Sequence, residues 1–255
     1  MSVNVNEDDF FIKRLKDLAN TAWNKNVYTF TDFLNMAQIS LFYNNKKDIC
    51  NEDFYKVYGG YNNSERAMIM FGNEDAFGYA PSFPISFIHI KPLNKKFADE
   101  LTHRDFLGAL INLGIKREVL GDIVVGDNEA FIVCIEEMAP FIERNLTRVK
   151  HTSVNCEVID NIPKIYVDKV TEMLINVASE RLDAVLGEVF KLSRNAAKEL
   201  IGAGKVYINS RQCVTGKGAL KEGDIVSVRG YGRFVFEGVK SISRKGRCNA
   251  KVGVW

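Results

Sequence analysis

Apolar residues in this chain fall into short runs that glycines and polar turns interrupt. Ala67–Phe71 and Ile85–Ile90 have the length of a β-strand, whereas Thr102–Leu113 places its apolar residues at helical spacing. None of the runs approaches the ~20 apolar residues that a membrane-spanning helix needs. At ~100–200 residues per domain, 255 residues allow one large domain or two to three small ones. The mixture of the two periods predicts an α+β fold.

The same pattern divides the chain into three predicted domains. Residues 1–48 are predicted to form an N-terminal helical segment, whose second helix begins at Thr31 as N-cap. Residues 49–165 mix strands and helices without strict alternation, which favours a central α+β domain with a ferredoxin-like order. Residues 175–255 are predicted to begin with two helices, the first over Ala178–Phe190, and to continue with short strands.

Charge is unevenly distributed along the chain. The net charge is +2, but residues 179–255 contain 15 Lys+Arg against 7 Asp+Glu, a balance of +8, so the preceding residues carry −6. Such an asymmetry indicates a nucleic-acid or membrane partner for the basic part. A basic membrane-surface helix needs a long apolar face, which this region lacks. A nucleic-acid partner is therefore predicted, and a solvated basic surface without a partner is the alternative.

The two helices of the basic region are predicted to present a strip of cations. Arg194 and Lys198 are four residues apart and therefore lie on one helix face. Ser193 is the predicted N-cap, at a helix end where backbone N–H groups and the helix dipole favour a phosphate. Lys205 follows the glycine that ends this helix, and Arg181 joins the strip if the two helices pack in a tight turn.

This segment resembles the S-four RNA-binding domain, which is named after a ribosomal small-subunit protein. The resemblance spans roughly residues 179–239 and is carried by Arg181-Leu182-Asp183-x-x-Leu186, by Leu192-Ser193-Arg194-x-x-Ala197-x-x-Leu200-Ile201-x-x-Gly204-Lys205-Val206-x-Ile208-Asn209 and by Gly223-Asp224-Ile225-Val226. It implies an αL-type motif, in which two helices and a β-turn dock structured RNA. The RNA-contacting positions that it implies are Arg181, Ser193, Arg194, Ala197, Lys198, Lys205, Asn209 and Arg211. Asn209-Ser210 stands where the family often has Asn-Gly, so the turn type stays open.

The central region narrows the resemblance to the bacterial YlmH family. It is carried by Gly59-Gly60-Tyr61, Glu65-Arg66, His103-Arg104-Asp105-Phe106-Leu107-Gly108-Ala109-Leu110-x-x-Leu113-Gly114-Ile115-Lys116-Arg117 and Gly121-Asp122-Ile123. These proteins have a central RNA-binding domain ahead of a C-terminal S-four domain. The resemblance implies binding to rRNA of the large ribosomal subunit and to peptidyl-tRNA on stalled, split complexes, in ribosome-associated quality control. The family has also been linked to cell division.

A second RNA contact is expected in the central region. Arg104, Lys116 and Arg117 lie near one predicted helix and could meet phosphates there. The equally weighted alternative is that these cations only solubilise an acidic domain. The expected partners are thus rRNA and tRNA, with no membrane and no small-molecule substrate.

Motifs for catalysis are incomplete in this sequence. His103-Arg104-Asp105 resembles the kinase catalytic loop, but Leu110 stands where that loop needs Asn. Gly202-Ala203-Gly204-Lys205 lacks the first glycine and the Ser/Thr of a P-loop. The three histidines have no metal-ligand spacing, and no cofactor is predicted. A non-enzymatic protein is therefore expected.

Two alternatives and one location follow from the same reasoning. An rRNA- or tRNA-modifying enzyme remains the main rival, since such enzymes also use S-four domains to bind their substrates. A division scaffold without RNA would show an exposed apolar patch on the N-terminal helices. The acidic, polar first residues are unlike a secretion signal, and the five cysteines lack C-x-x-C spacing. A cytoplasmic protein with free thiols is expected.

Overall fold

The structure is a computed structural model, and it describes residues 5–167, 170–216, 218–244 and 246–255. The chain forms two compact units, one up to residue 168 and one from residue 169 onward. Both units combine helices with antiparallel sheets, which confirms the predicted α+β class. A separate N-terminal domain over residues 1–48 stays a prediction. None of the helices in the described ranges is long and apolar enough to cross a membrane.

The first unit begins with two helices that pack on a three-stranded sheet of order β1-β3-β2. Its elements are, in chain order, α1 (Val5–Lys25), β1 (Thr29–Phe30), α2 (Met36–Ile49), β2 (Tyr55–Tyr58), β3 (Met68–Phe71) and α3 (Glu74–Phe77). The cap of α2 is Asn35, whose side chain accepts from two backbone N–H groups, and not Thr31. Thr31 is instead buried, and its hydroxyl accepts from the Ile69 N–H at 2.9 Å, so a sheet contact overrides its capping chemistry.

The rest of the first unit has a ferredoxin-like topology. Its elements are β4 (Ile85–Pro92), α4 (His103–Asn112), β5 (Leu120–Val125), β6 (Ala130–Ile135), α5 (Ala139–Asn145), β7 (Arg148–Val149), β8 (Thr152–Ile159) and α6 (Lys164–Val167). The sheet order is β5-β6-β4-β8-β7, so the β-α-β-β-α-β strands follow the order of that fold, and the short β7 is added at one edge. The predicted ferredoxin-like order is thus confirmed. Phe106, Leu110 and Ile142 anchor α4 and α5 to one face of this sheet.

Local sequence explains where α4 begins and ends. The Asp105 carboxylate accepts from the backbone N–H of Thr102 at 2.9 Å and from its hydroxyl at 2.7 Å, as in a capping box. These bonds hold the pKa of Asp105 below its ordinary value. Gly114 follows the helix with φ of +82°, a conformation that glycine adopts at low cost. The motif His103-Arg104-Asp105 is therefore the first turn of a capped helix.

The second unit packs two helices on one face of a six-stranded antiparallel sheet. Its elements are β9 (Thr171–Val177), α7 (Leu182–Val189), α8 (Arg194–Gly202), β10 (Val206–Ile208), β11 (Arg211–Cys213), β12 (Ile225–Val228), β13 (Gly232–Ile242) and β14 (Cys248–Val254). The sequence did not predict β9, which pairs with β14 over its whole length, and the first helix starts at Leu182 rather than at Ala178. The S-four identity of this unit stays a prediction.

A single carboxylate fastens a loop of the first unit to its central sheet. Asp122 on β5 accepts from the Tyr61 hydroxyl at 2.7 Å and from the backbone N–H groups of Glu65 and Arg66 at 2.7 and 3.0 Å. The Arg66 guanidinium donates to the backbone carbonyls of Phe33, Arg117 and Leu120. Burial lowers the pKa of Arg66 to about 10. Segments that are far apart in the sequence are thus held together by half-buried polar contacts.

Replacement of Asp122 by Asn is expected to destabilise the first unit. The substitution puts an NH₂ group, which is a donor, against N–H and O–H donors, and because the site is half-buried we expect a loss of about 1 kcal/mol, the lower end of the cost of an unsatisfied donor. Urea unfolding followed by circular dichroism measures the loss. The matched control is Asp17→Asn on an exposed face of α1, which should change stability by less than about 0.5 kcal/mol. Equal effects of the two substitutions would contradict this role of Asp122.

Candidate nucleic-acid interface

Two of the predicted arginines meet at a buried carboxylate in the second unit. Asp183, in the first turn of α7, has a side chain that is 0% exposed. Its two oxygens accept from Nε and Nη2 of Arg181, each at 3.0 Å, and from Nε of Arg194 at 3.4 Å. The hydrogen bonds from Arg181, with a smaller contribution from Arg194, hold the pKa of Asp183 below its ordinary value. Asp183 therefore fixes both guanidinium groups at the starts of α7 and α8.

The pairing with Asp183 leaves a cationic surface. The side chains of Arg181 and Arg194 stay 38% and 65% exposed. Their bonds to Asp183 use a minority of the five N–H donors that each guanidinium carries. One carboxylate against two guanidiniums also leaves an excess positive charge. The structure thus brings Arg181 and Arg194 together, with their outer N–H groups turned to solvent.

The remaining cations of the strip follow along α8. Lys198 is exposed one turn after Arg194, on the same helix face. Ser193 caps α8, because its hydroxyl oxygen accepts from the Ala196 N–H at 3.1 Å, and its own O–H stays a donor. Lys205 is exposed directly after Gly204, whose φ of +67° ends the helix. We call Arg181, Ser193, Arg194, Lys198 and Lys205 the α7–α8 face.

A tight hairpin follows this face along the chain. Asn209 and Ser210 have φ of +49° and +62°, and they join β10 to β11 as a two-residue loop, which fits a type I′ turn. The Asn209 side chain donates to Asp224 at 2.9 Å and accepts from the Ile225 N–H at 3.0 Å. Asn209 therefore ties the hairpin to β12, and its amide is already engaged within the protein. Arg211 is exposed at the start of β11.

Two of the sequence-predicted RNA contacts have side chains that the protein itself largely encloses. Ala197 is 0% exposed between α8 and the core, so its side chain is not available to an RNA; its small size lets the helices pack closely. Arg117 in the first unit is half-buried and donates to the carbonyls of Leu120 and Gly121 at 2.8 and 2.9 Å. Burial lowers the pKa of Arg117. This residue supports the fold, whereas Arg104 and Lys116 are exposed.

Sequence reasoning missed Arg247, which borders the α7–α8 face. A cleft of about 250 Å³ is lined by Asp183, Arg194 and Arg247, together with Ala184 and Gly187 of α7. Arg247 donates from Nη2 to the backbone carbonyl of Asn176 at 2.6 Å, which holds its guanidinium at this cleft. The cluster of basic residues at positions 244, 245 and 247 of the sequence was the available signal. It lies beyond the residues that carry the S-four resemblance.

Groups for metal or thiol chemistry are not assembled in the described residues. Within these ranges, no three His, Cys, Asp or Glu side chains cluster as metal ligands would. Cys134 and Cys156 are buried free thiols, and burial raises the pKa of each to about 12. His89 is half-buried, and its Nε2 lies 2.8 Å from Oε2 of Glu129.

The N-terminal helices expose apolar side chains singly. Phe10 and Trp23 of α1 are 71% and 60% exposed. They are thirteen positions apart, which at about 100° per residue puts them on different faces of the helix. α1 therefore lacks a shared Phe10–Trp23 patch of the kind that a scaffold role would use.

Replacement of Asp183 by Asn is expected to loosen the α7–α8 face. Removal of one partner of a buried ion pair typically costs about 3–5 kcal/mol, and we expect about 2 kcal/mol here because both arginines are partly exposed. The stabilisation by Asp183 exists above its unfolded pKa and is lost as pH falls through its lower folded pKa. The difference between wild type and variant should therefore shrink in acid.

Urea unfolding of both proteins at neutral and acid pH measures this difference. The matched control is Glu199→Gln, an exposed carboxylate on α8, which should change stability by less than about 0.5 kcal/mol. A gap between wild type and D183N that stays constant down to pH values below the ordinary Asp range would contradict the ion-pair account.

Comparison with known proteins finds a family model, a curated relative and a solved structure that are similar to this chain. Residues 80–162 match a family model described as "Putative RNA-binding domain in YlmH". The "Ribosome-associated protein quality control protein P2" of Bacillus subtilis (strain 168) is 29% identical over 194 residues, which cover 73% of this chain and 72% of that protein. The solved structure "Cell division protein ylmH from Streptococcus pneumoniae" is 24% identical with a TM-score of 0.48, over 64% of this chain and 96% of that one. Residues 80–162 are thus similar to the RNA-binding domain of YlmH, and most of the chain is similar to the curated quality-control protein.

Proposed function

We propose that this chain is a non-catalytic RNA-binding protein that associates with the large ribosomal subunit and with peptidyl-tRNA on stalled complexes. In this proposal it acts in ribosome-associated quality control in the cytoplasm, and its S-four-like second unit makes the main RNA contact. The observation that carries the proposal is the α7–α8 face, in which Asp183 fixes Arg181 and Arg194. The name of the Bacillus subtilis relative supports the ribosomal setting.

The chemistry of the α7–α8 face suits the backbone of folded RNA. Double-helical RNA is recognised largely through its shape, its phosphates and its 2′-hydroxyl groups. Arg181 and Arg194 offer planar forks for bidentate contact with phosphate, while Lys198 and Lys205 act as mobile point charges. The Ser193 O–H and the start of α8 add donors for a phosphate oxygen. Release of counterions from the RNA would then supply much of the affinity.

Rigidity is the second requirement of this proposal. Binding costs about 0.5–1.5 kcal/mol for each flexible side chain that becomes ordered. Asp183 orders Arg181 and Arg194 before the RNA arrives, so part of this cost has already been met on folding. The helices are anchored by buried residues such as Val185, Leu186 and Ala197, each 0% exposed. The face can therefore select an RNA of complementary shape rather than adapt to any anion.

Loss of two cations from the α7–α8 face is expected to weaken association with the ribosome. In Arg194→Ala with Lys198→Ala, two phosphate contacts disappear, and the slope of log affinity against log salt should fall by about 2. Co-sedimentation of the full chain with purified large subunits, with and without peptidyl-tRNA, measures affinity over a range of salt concentrations.

The matched control removes two cations of the same unit that its own carboxylates already neutralise. Lys251 pairs with Glu172 and Glu237, and Lys240 lies 3.9 Å from Glu222. Lys251 alternates along β14 with the buried Ala250 and Val252, so it lies on the sheet face opposite the two helices. K240A/K251A should bind nearly as wild type does. Equal binding by both double variants would refute the α7–α8 face.

The rival reading is an enzyme that modifies rRNA or tRNA. Such an enzyme would change the mass of its substrate, whereas the proposed protein would not. Incubation of the full chain with large-subunit rRNA, tRNA and common cofactors, followed by mass analysis of the RNA, separates the two. A reproducible mass shift would overturn the non-catalytic proposal.

A further inference from the structure

The ferredoxin-like part of the first unit covers the sheet face that related topologies use for RNA. RRM-type domains stack bases on aromatic side chains of the two central strands. The central strands here are β4 and β6, and Phe131 on β6 is only 2% exposed. Its ring stacks on His89 at 4.6 Å and lies 4.6 Å from the ring of Tyr166 on α6. His89 Nε2 lies 2.8 Å from Oε2 of Glu129, and the Tyr166 hydroxyl donates to Oε1 of Glu129 at 2.5 Å. These contacts hold His89 and Tyr166 over the Phe131 ring.

The other side of the same sheet carries an open, basic groove. A cleft of about 500 Å³ runs between α4 and the segment from the end of α5 to the β7–β8 turn. Three cations line it, Arg104 from α4 and Arg148 and Lys150 from the turn. Asn112, Asn145 and Thr147 add polar side chains. Asp105 is the acidic residue in this lining, and its carboxylate is already engaged by Thr102 and by Lys150 at 3.5 Å. We call this cleft the α4–β7 groove.

Hydrogen bonds to Asp99 hold the β7–β8 turn, which carries Arg148 and Lys150, in place. Oδ2 of Asp99 accepts from the His151 N–H and from the Thr152 hydroxyl, each at 3.1 Å. The Asp99 N–H donates to the Thr152 hydroxyl at 2.8 Å, and Thr152 is buried. Lys150 has φ of +56°, which this anchored turn maintains. Arg148 and Lys150 therefore project from a fixed backbone.

The floor of the groove leaves room for a ligand to approach the helix closely. Gly108 and Ala109 lie on the same side of α4 as Arg104 and Asn112. A Cβ placed on Gly108 would meet no atom within 4 Å, so the space above it is open. The groove therefore combines cations at its rims, polar side chains and small residues at its floor. This combination suits a sugar–phosphate strand, because phosphates pair with cations and sugar hydroxyls pair with polar groups.

We propose that the α4–β7 groove is a second RNA-binding site, which holds a sugar–phosphate backbone through Arg104, Arg148 and Lys150. The inference rests on the proposed function, because it assigns a second RNA contact to the same chain. It replaces Lys116 and Arg117 of the expected second contact by Arg148 and Lys150. Two sites on one chain would also raise the overall affinity for a large RNA through effective concentration.

The test uses the full chain, purified large subunits and protein-free large-subunit rRNA. Arg148→Ala with Lys150→Ala should weaken binding to both about tenfold at about 0.1 M monovalent salt, and should lower the salt slope by about 2. The control is Lys47→Ala with Lys56→Ala, two exposed cations of the same unit outside the groove, which should bind as wild type does. Circular dichroism and thermal unfolding confirm that each variant is folded.

A second variant probes the groove without loss of charge. Gly108→Gln places a long side chain in the open space above α4, and Gln is a better helix former than Gly, so the helix should stay intact. This variant should also weaken rRNA binding severalfold. Wild-type binding by G108Q and by R148A/K150A would overturn the groove. Weaker binding to intact subunits with unchanged binding to protein-free rRNA would overturn it as well, since the groove would then contact a ribosomal protein.

Failure of this inference differs from failure of the proposed function. If only R194A/K198A weakens binding, the groove is refuted and the α7–α8 face stands. If only the groove variants weaken binding, the groove is supported and the α7–α8 face is refuted. If no variant weakens binding, both proposals fail together.

Discussion

The α7–α8 face depends on the burial of one carboxylate between two arginines. A buried Asp183 without partners would carry a large desolvation penalty, so the fold that buries it must also bring Arg181 and Arg194 against it. The two guanidiniums lose mobility in the process and keep most of their donors. The single buried carboxylate thus holds two positive groups in a fixed arrangement. Such an arrangement suits recognition of a ligand with a fixed shape better than a cluster of mobile lysines does.

Arginine has two distinct roles in this molecule, and burial distinguishes them. Arg66 and Arg117 turn inward and donate to backbone carbonyls, and burial lowers the pKa of each. Arg104, Arg148 and Arg194 lie at the surface, beside clefts with further polar groups. The first unit is acidic as a whole, so its cations at the α4–β7 groove stand out against the surrounding charge.

Hydrogen bonds within the protein hold the backbone next to each candidate RNA contact. The N-cap at Ser193 sets where α8 begins, and the Asn209 amide ties the β10–β11 hairpin to β12. In the first unit, Asp99 and Thr152 hold the turn that carries Arg148 and Lys150. These polar groups are paired with one another, so they fix side-chain positions that apolar packing alone would leave adjustable.

The sequence by itself determined the α+β class, the ferredoxin-like order, the cap at Ser193 and the split in charge, because periodicity, capping chemistry and composition are local properties. Only the tertiary structure decided that Asp183 joins Arg181 to Arg194, that Ala197 and Arg117 face inward, and that Arg247 and Arg148 lie beside the candidate surfaces. The strand β9 was missed for the same reason, since its pairing partner β14 lies more than seventy residues away. Whether a charged side chain points inward or toward solvent depends on contacts between distant segments. A local sequence pattern does not contain this information.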